Sequence, residues 1–463
     1  MEETISRYFQ TLKQQSKAKY VLVMAAIVLA SIVFIAVVLL LTPDDGKAGL
    51  LSDIFASFIG FAFLFVSALL VTWRLHKKED QIKVSYRNQD MWNHYVKEYR
   101  HIIDLHDSQA VVYFEPLLQM NKYHSKHIRV EDDPTAFFQL DSFIKSHCGT
   151  LLEAHSTSKT LDSVTVRLAD FEPATEANGQ TATIHCMRSS YMAHLLTNRA
   201  LDYLIEGSLS IRKLYENDAK LRPLRRSMLS NHFGVNALIF LRNGEKEDGW
   251  LLMPHRRNDA TVAKNSVTAS MATRLKMEKH YFANEYADRM TADYMEHVYV
   301  EDNVAGAMWV TTDWLKAHPA RVDFLGLSRD IYEGGKPTLF YAVYVDADPE
   351  AYLQGRAEWD EKEKQKRETR KRETSAYRLG FPQFSIDEMD RIHIANWTTV
   401  RMQTVWAGHP RRAIVPEMDY HDTRLDDAKL TFVDYNGRAY AYAFEQNMIA
   451  NFLFLQEYEK QEA

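Results

Sequence analysis

Two long apolar runs open the chain, and shorter stretches of alternating character fill the rest. Tyr20 to Thr42 holds 23 residues without a charge and Ile54 to Trp73 another 20, each sufficient at about 1.5 Å per residue to cross a hydrocarbon core of roughly 30 Å. Both predict transmembrane helices, joined as a hairpin over 20–73. The connector carries Asp44, Asp45 and Asp53 against Lys47, whereas Lys13, Lys17 and Lys19 precede the first run and Arg74, Lys77, Lys78 and Lys83 follow the second. Basic flanks stay on the cytoplasmic side, so both termini, with the 1–19 segment, are expected there. Ala26 with Ala30, and Ala56 with Gly60, are spaced four apart and suit close packing within one hairpin or between copies.

Beyond the second run the periods shorten. Val84, Met91, Tyr95, Tyr99 and Ile102 recur at roughly helical spacing, which predicts a helical stalk over 74–110. A mixed linker region over 111–160 shows no single period. Ser163 to Leu168 alternates as a half-buried strand does, and Asn178-Gly179 signals a hairpin back into 181–187. Gly234 to Leu241 and Trp250 to Met253 read as a second strand pair around Asn243-Gly244. Glu358 to Glu373 carries six acidic and seven basic side chains with no Gly or Pro, the mark of a solvated helical insertion near 350–375. Tyr440 to Glu445 alternates as a strand, and Ile449, Phe452, Leu453 and Leu455 are spaced as on a helix.

Composition narrows the function classes. A net charge of -6 over 463 residues argues against a partnership with duplex nucleic acid, which needs a basic surface. Cys148 and Cys186 are the two cysteines; with no Cys-x-x-Cys pair they make neither a disulfide framework nor a structural zinc site. No buried charge marks an ion path through the two spans, and no cofactor is expected.

The order Ser227-Met-Leu-Ser-Asn-His-Phe-Gly-Val-Asn-Ala-Leu-Ile-Phe240, a Gly turn, then Gly249-Trp-Leu-Leu-Met-Pro-His-Arg-Arg257 resembles the opening of a Nudix domain. Leu195-Leu-Thr-Asn-Arg-Ala-Leu-Asp202 upstream, with Phe324-Leu-Gly-Leu-Ser-Arg-Asp330 and Gly334-Gly-Lys-Pro-Thr-Leu-Phe340 downstream, sharpens the likeness. Together they resemble Nudix-like proteins fused to two transmembrane helices and associated with bacterial cyclic-nucleotide synthases in antiphage defence. The resemblance implies an α+β fold: an N-terminal two-helix transmembrane hairpin, an additional N-terminal αβ region, and a cytoplasmic Nudix-like α/β/α sandwich over 161–463. It also implies an inner-membrane location, a homo-oligomer, and a cyclic nucleotide ligand made by a partner nucleotidyltransferase.

A Nudix hydrolase needs Gly-x5-Glu-x7-Arg-Glu-U-x-Glu-Glu-x-Gly-U, because glutamates three or four apart share a helix face and hold Mg²⁺ against a diphosphate. Here Glu285, Asp288 and Glu296 are scattered over Tyr281 to Glu296, and Ala260 to Ser270, where the Gly-rich loop belongs, has no glycine. The three acids are metal ligands only if Mg²⁺ hydrolysis survives. Arg256, Arg257 and Lys264 are the candidate phosphate contacts, since guanidinium forks match phosphate oxygens; His255 beside them reads as a packing or surface residue. Gly334-Gly335-Lys336-Pro337 lacks the spacing of a phosphate loop and reads as a hairpin lead-in. Three functions are therefore open: a membrane-coupled nucleotide sensor, a membrane-tethered Mg²⁺-dependent hydrolase of nucleoside diphosphate derivatives, and an inert scaffold.

Overall fold

The computed structural model describes residues 88–105, 108–119, 127–153, 164–176, 181–205, 209–243, 249–257, 263, 265–275, 291, 299–375, 389–406, 418–419 and 424–460. All lie in one compact unit. A short helix α1 (Asn88–His94) precedes β1 (Arg100–Leu105), β2 (Ser108–Gln119) and β3 (Ile128–Phe137). Helices α2 (Ser142–Ser146) and α3 (Cys148–Glu153) lead to β4 (Val164–Glu172) and β5 (Ala182–Ser190), then α4 (Tyr191–Leu196) and α5 (Ile211–Tyr215). Strands β6 (Gly234–Leu241), β7 (Trp250–Arg256), β8 (Ser266–Val267) and β9 (Met271–Arg274) follow. Next come α6 (Tyr299–Met308), α7 (Thr312–Ala317), the hairpin of β10 (Ala320–Asp330) and β11 (Lys336–Val345), and the long α8 (Pro349–Ser375). The last described elements are β12 (Met389–Asn396), α9 (Trp397–Gln403), β13 (Val405–Trp406), β14 (Met418–Asp419), β15 (Arg424–Val433), β16 (Ala439–Glu445) and α10 (Gln446–Glu459).

Thirteen strands share one sheet in the order β13-β1-β2-β10-β11-β6-β7-β8-β16-β15-β14, with β12 added to β7 and β9 to β6. The second sheet, β3-β5-β4, is separate. One fork shapes the large sheet. β6 pairs with β9 from Gly234 to Ala237 but meets β7 only at Phe240 and Leu241, so β7 peels away from it. Ser270 fills the fork: its hydroxyl accepts from the Ile239 N–H at 2.9 Å and donates to the Leu252 carbonyl, replacing ladder bonds that the splayed strands cannot make to each other.

Beyond the fork β7 pairs with β12 on one side and, at His255 with Val267, with β8 on the other. β8 carries β16 in parallel and β16 carries β15. Ala395 of β12 then bridges to Asp434, and the Tyr435 N–H donates to the Ile394 carbonyl at 2.8 Å. The five strands β12, β7, β8, β16 and β15 thus come close to closing as a small barrel, which removes exposed edges.

Two cores flank the large sheet. On one face Val235, Ala237 and Ile239 join Leu252, Val166 and Ile184 of the second sheet, Val304 and Met308 of α6, and Trp314 of α7. On the other, Leu238 and Phe240 join Leu251, Met253, Phe432 and Phe444 around α10, whose Met448, Phe452 and Leu455 are fully buried.

This architecture corrects the expected α+β arrangement of a transmembrane hairpin and a Nudix-like α/β/α sandwich. The described residues form a mixed α/β fold, mostly strands, whose sheet curls toward a barrel because the chain returns through α8 to lay β12 on β7. The expected spans at 20–42 and 54–73 lie outside the described residues, among which no helix is long and apolar enough to cross a membrane. The stalk expectation is also corrected: helix is found over Asn88–His94, after which Arg100–Leu105 is a strand paired with β2. The alternating charged and aromatic residues there suit a sheet with one buried face. The expected strand pairs β4–β5 and β6–β7, and helices over the charged insertion and 447–458, are all present.

Candidate functional site

The motifs Leu195–Asp202, Phe324–Asp330 and Gly334–Phe340 converge on one buried polar lock. Ser190 caps α4 by accepting from the Ala193 N–H at 3.0 Å, and the chain leaving α4 presents Asn198. Its amide donates to Asn231 Oδ1 at 3.0 Å and to the Glu333 carbonyl at 2.8 Å, and accepts from the Asn231 N–H at 2.9 Å. Arg212 forks onto Asp202 at 2.7 and 2.8 Å and donates to the carbonyls of Ile331 and Tyr332. Glu333 binds Arg199 at 2.6 Å and Lys336 at 2.8 Å. Asp330 accepts from Gln446 at 2.7 Å and Asn447 at 3.2 Å, tying the β10–β11 turn to the start of α10.

Electrostatics inside the lock push its two carboxyls apart. Burial, with Glu333 nearby, raises Asp330 to about 7. Burial raises Glu333 too, but Lys336 and Arg199 outweigh it and hold that carboxyl down at about 2. Gly334 and Gly335 turn at φ of 61° and 88°. A side chain on Gly335 would lie 2.6 Å from the Arg329 guanidinium, so glycine is needed there for the turn and for the close approach. This region is a hairpin, as its sequence predicts, and its charges are turned on one another.

The barrel mouth is built differently. It lies where β7 ends and β12 and β16 begin. In β7, Leu251 and Met253 face α10 while Leu252 faces the opposite core, so alternation turns His255 inward and Arg256 outward. On β12, Met389 pairs with Arg256 but Arg391 pairs with His255, leaving Asp390 as the extra residue of a β-bulge. A bulge re-aims a side chain, and here the Asp390 carboxylate reaches His255 Nδ1 at 2.9 Å. Burial raises the Asp390 carboxyl, but hydrogen bonds from His255 and Arg391 outweigh it and hold it below the ordinary carboxylate range. An ionised carboxylate only accepts, so the bond to Asp390 is donated by the His255 Nδ1–H.

His255 Nε2 is buried without a hydrogen-bond partner, and so is Nε2 of His393. Tyr442 stands 4.5 Å from the His255 ring and Tyr440 4.4 Å from the His393 ring, measured between centroids. The two tyrosines lie near-parallel with centroids 5.9 Å apart, and both are half-buried. Burial, reinforced by Arg391 and His255, lowers His393 to about 4 and keeps it neutral at pH 7. Arg391, hydrogen-bonded to Asp390 at 3.2 Å, is exposed at the rim. Across the mouth Ala263 and Asn265 adopt positive φ of 49° and 53°, and the Asn265 N–H donates to the Arg257 carbonyl at 3.2 Å. Left-handed backbone at an alanine costs on the order of 1–3 kcal/mol and gathers where a loop must hold a set shape.

The residues expected from sequence are therefore divided. Arg257 lies at the rim where β7 ends, Arg256 is buried on the outer face, and Lys264 lies outside the described residues, as do Glu285, Asp288 and Glu296. Among the described residues no group of three or more His, Cys, Asp or Glu side chains could hold a metal ion. Sequence reasoning missed Asp390, Arg391, His393, Tyr440 and Tyr442 as site residues and set His255 aside. One signal for them exists: Arg391 and His393 alternate with Ile392 and Ile394, placing polar groups two apart on one strand face. No protein-family model matches the chain, and no curated protein matches it.

Proposed function

We infer that the barrel mouth binds a nucleotide, and that the chain is a second-messenger sensor whose ligand is a cyclic oligonucleotide. The observation that carries this reading is the juxtaposition of two half-buried tyrosine rings with Arg391 on one rim. Tyrosine faces accept a stacked base, worth about 1–3 kcal/mol per base, and a guanidinium at the rim meets a phosphate. Arg257, at the end of β7, is a second phosphate contact. The Nudix box is degenerate in sequence, so binding rather than Mg²⁺-dependent hydrolysis is the expected primary role. The uncharged runs at 20–42 and 54–73 supply, in this reading, the means by which ligand binding acts on the bacterial inner membrane in antiphage defence.

Calorimetry of the full-length chain against linear and cyclic nucleotides tests the reading. One cyclic species should bind tightly, and Arg391→Ala or Tyr442→Ala should each weaken it by about tenfold or more, a charge-assisted contact contributing roughly 1.5–3 kcal/mol. Absence of binding across the panel, or affinities that neither substitution changes, would remove the mouth as the site.

A further inference from the structure

The stretch Lys220-Leu-Arg-Pro-Leu-Arg-Arg226 holds four basic residues in seven and no acid. Its apolar positions pin it to the body: Leu221 is buried with Met91, Tyr95 and Tyr99, and Leu224 is buried in the core that includes the second sheet. The backbone is fixed as well. The Arg222 N–H donates to Glu216 Oε2 at 3.0 Å, the Arg222 carbonyl accepts from Arg329 at 2.9 Å, and the Arg226 N–H donates to the Pro223 carbonyl at 2.8 Å. With the leucines turned inward, Lys220, Arg225 and Arg226 are exposed and Arg222 is half-buried. Among the described residues no carboxylate pairs with Lys220, Arg225, Arg226 or the exposed Lys97.

This basic strip lies against the point where the described chain begins. His94 donates from Nε2 to the Asp218 carbonyl at 3.0 Å, and the Val96 N–H donates to the Ala219 carbonyl at 3.1 Å, so α1 and Lys97 are bound to the residues just before Lys220. Fourteen residues, 74–87, separate α1 from Trp73 at the end of the second uncharged run, a tether of at most about 50 Å. Arg74, Lys77, Lys78 and Lys83 lie on it. We propose that the strip Lys220–Arg226, with Lys97, docks on the anionic lipid headgroups of the leaflet from which the chain emerges. The inference rests on the inner-membrane location in the reading above. Headgroup phosphates supply the negative charge that no side chain supplies here, and each Lys or Arg near such a surface strengthens attachment about fivefold. Glu98 and Asp218 are the exposed acids beside these five cations, too few to neutralise them. A short row of cations on a chain of net charge -6 suits a fluid headgroup surface, which rearranges to meet it, better than a nucleic-acid duplex, whose fixed phosphates call for a wider basic face.

The test uses the full-length chain reconstituted in vesicles of phosphatidylcholine alone or with about one-third phosphatidylglycerol. A membrane-impermeant acetylating reagent marks exposed lysines, and mass spectrometry reads the rate at each. Lys220 and Lys97 should react about fivefold or more slowly in the anionic vesicles, and about 0.5 M salt should restore the rate by screening. Lys316, exposed on α7, should react alike in both. Arg225→Glu combined with Arg226→Glu should return Lys220 to its rate in phosphatidylcholine; the comparison of lipids in the wild-type chain does not depend on that variant folding. Equal Lys220 rates in the two vesicles, or equal slowing of Lys316, would overturn the proposal while leaving the membrane location standing. Slowing by inorganic phosphate or duplex RNA in phosphatidylcholine vesicles, with none from phosphatidylglycerol, would overturn it and assign the strip to those ligands. A chain that floats with neither vesicle would overturn the membrane location itself.

Discussion

The polar lock beneath the β10–β11 turn and the mouth of the small barrel draw on the same residue types and use them in opposite ways. In the lock, Arg212 has its charge met by Asp202 and by two carbonyls, with both side chains almost wholly out of solvent. In the mouth, Arg391 keeps half its side chain in water and two imidazoles keep an unpaired nitrogen. Burial with its charge fully met makes Arg212 a fastener, whereas half exposure leaves the Arg391 guanidinium able to meet a ligand. Of the motifs that carried the sequence resemblance, Leu195–Asp202, Phe324–Asp330 and Gly334–Phe340 fall in the fastener, whereas Gly249–Arg257 runs along β7 into the mouth.

The comparison breaks most visibly at Arg212. Arg212→Ala should destabilise the chain by about 3–5 kcal/mol in chemical denaturation, because Asp202 is left buried and unpaired. Loss of less than about 1 kcal/mol would show that the lock is not a fastener. Asn198→Ala removes three hydrogen bonds between segments far apart in sequence and should cost roughly 1–3 kcal/mol by the same measurement.

Asp330 gives the lock a pH signature. A carboxyl raised to about 7 binds its proton more tightly folded than unfolded, so its contribution is complete below about pH 4 and is lost as pH rises toward 7. Unfolding free energy should fall over that window by at most about 1.4 kcal/mol per pH unit from this group, and Asp330→Asn should flatten the slope. A slope unchanged in the variant would assign it to other groups. The smallest effect belongs to the mouth: Arg391→Ala, at a half-exposed side chain, should change stability by no more than about 0.5 kcal/mol, while weakening nucleotide affinity by about tenfold. A large loss of stability there would erase the distinction between the two regions.

Local pattern made much of the fold legible. The alternation of Gly234–Leu241 and Tyr440–Glu445, the Gly334-Gly335 turn and the unbroken charge of 358–373 each encode an element through neighbours in sequence. The barrel was not legible, because it depends on β12 meeting β7 across more than 130 residues of chain, as in His393 opposite Met253, and no period records such a pairing. The site was hidden for the same reason. Asp390 becomes His255's partner only through a one-residue bulge, while Arg256 and Arg257, adjacent in sequence, are separated by a strand's alternation.

Closure of the small barrel by Ala395 with Asp434, and by β16 on β8, also governs the order in which the molecule is assembled. Contacts of such long separation form slowly, since the loop must close before they are rewarded. β7 waits through the synthesis of α6, β10, β11 and α8 before β12 exists to pair with it, and the tyrosines of β16 come later still. A nascent chain therefore holds its histidine, its bulge and its aromatic wall as three unconnected pieces, and the mouth comes into being only once the final strand has been made and seated.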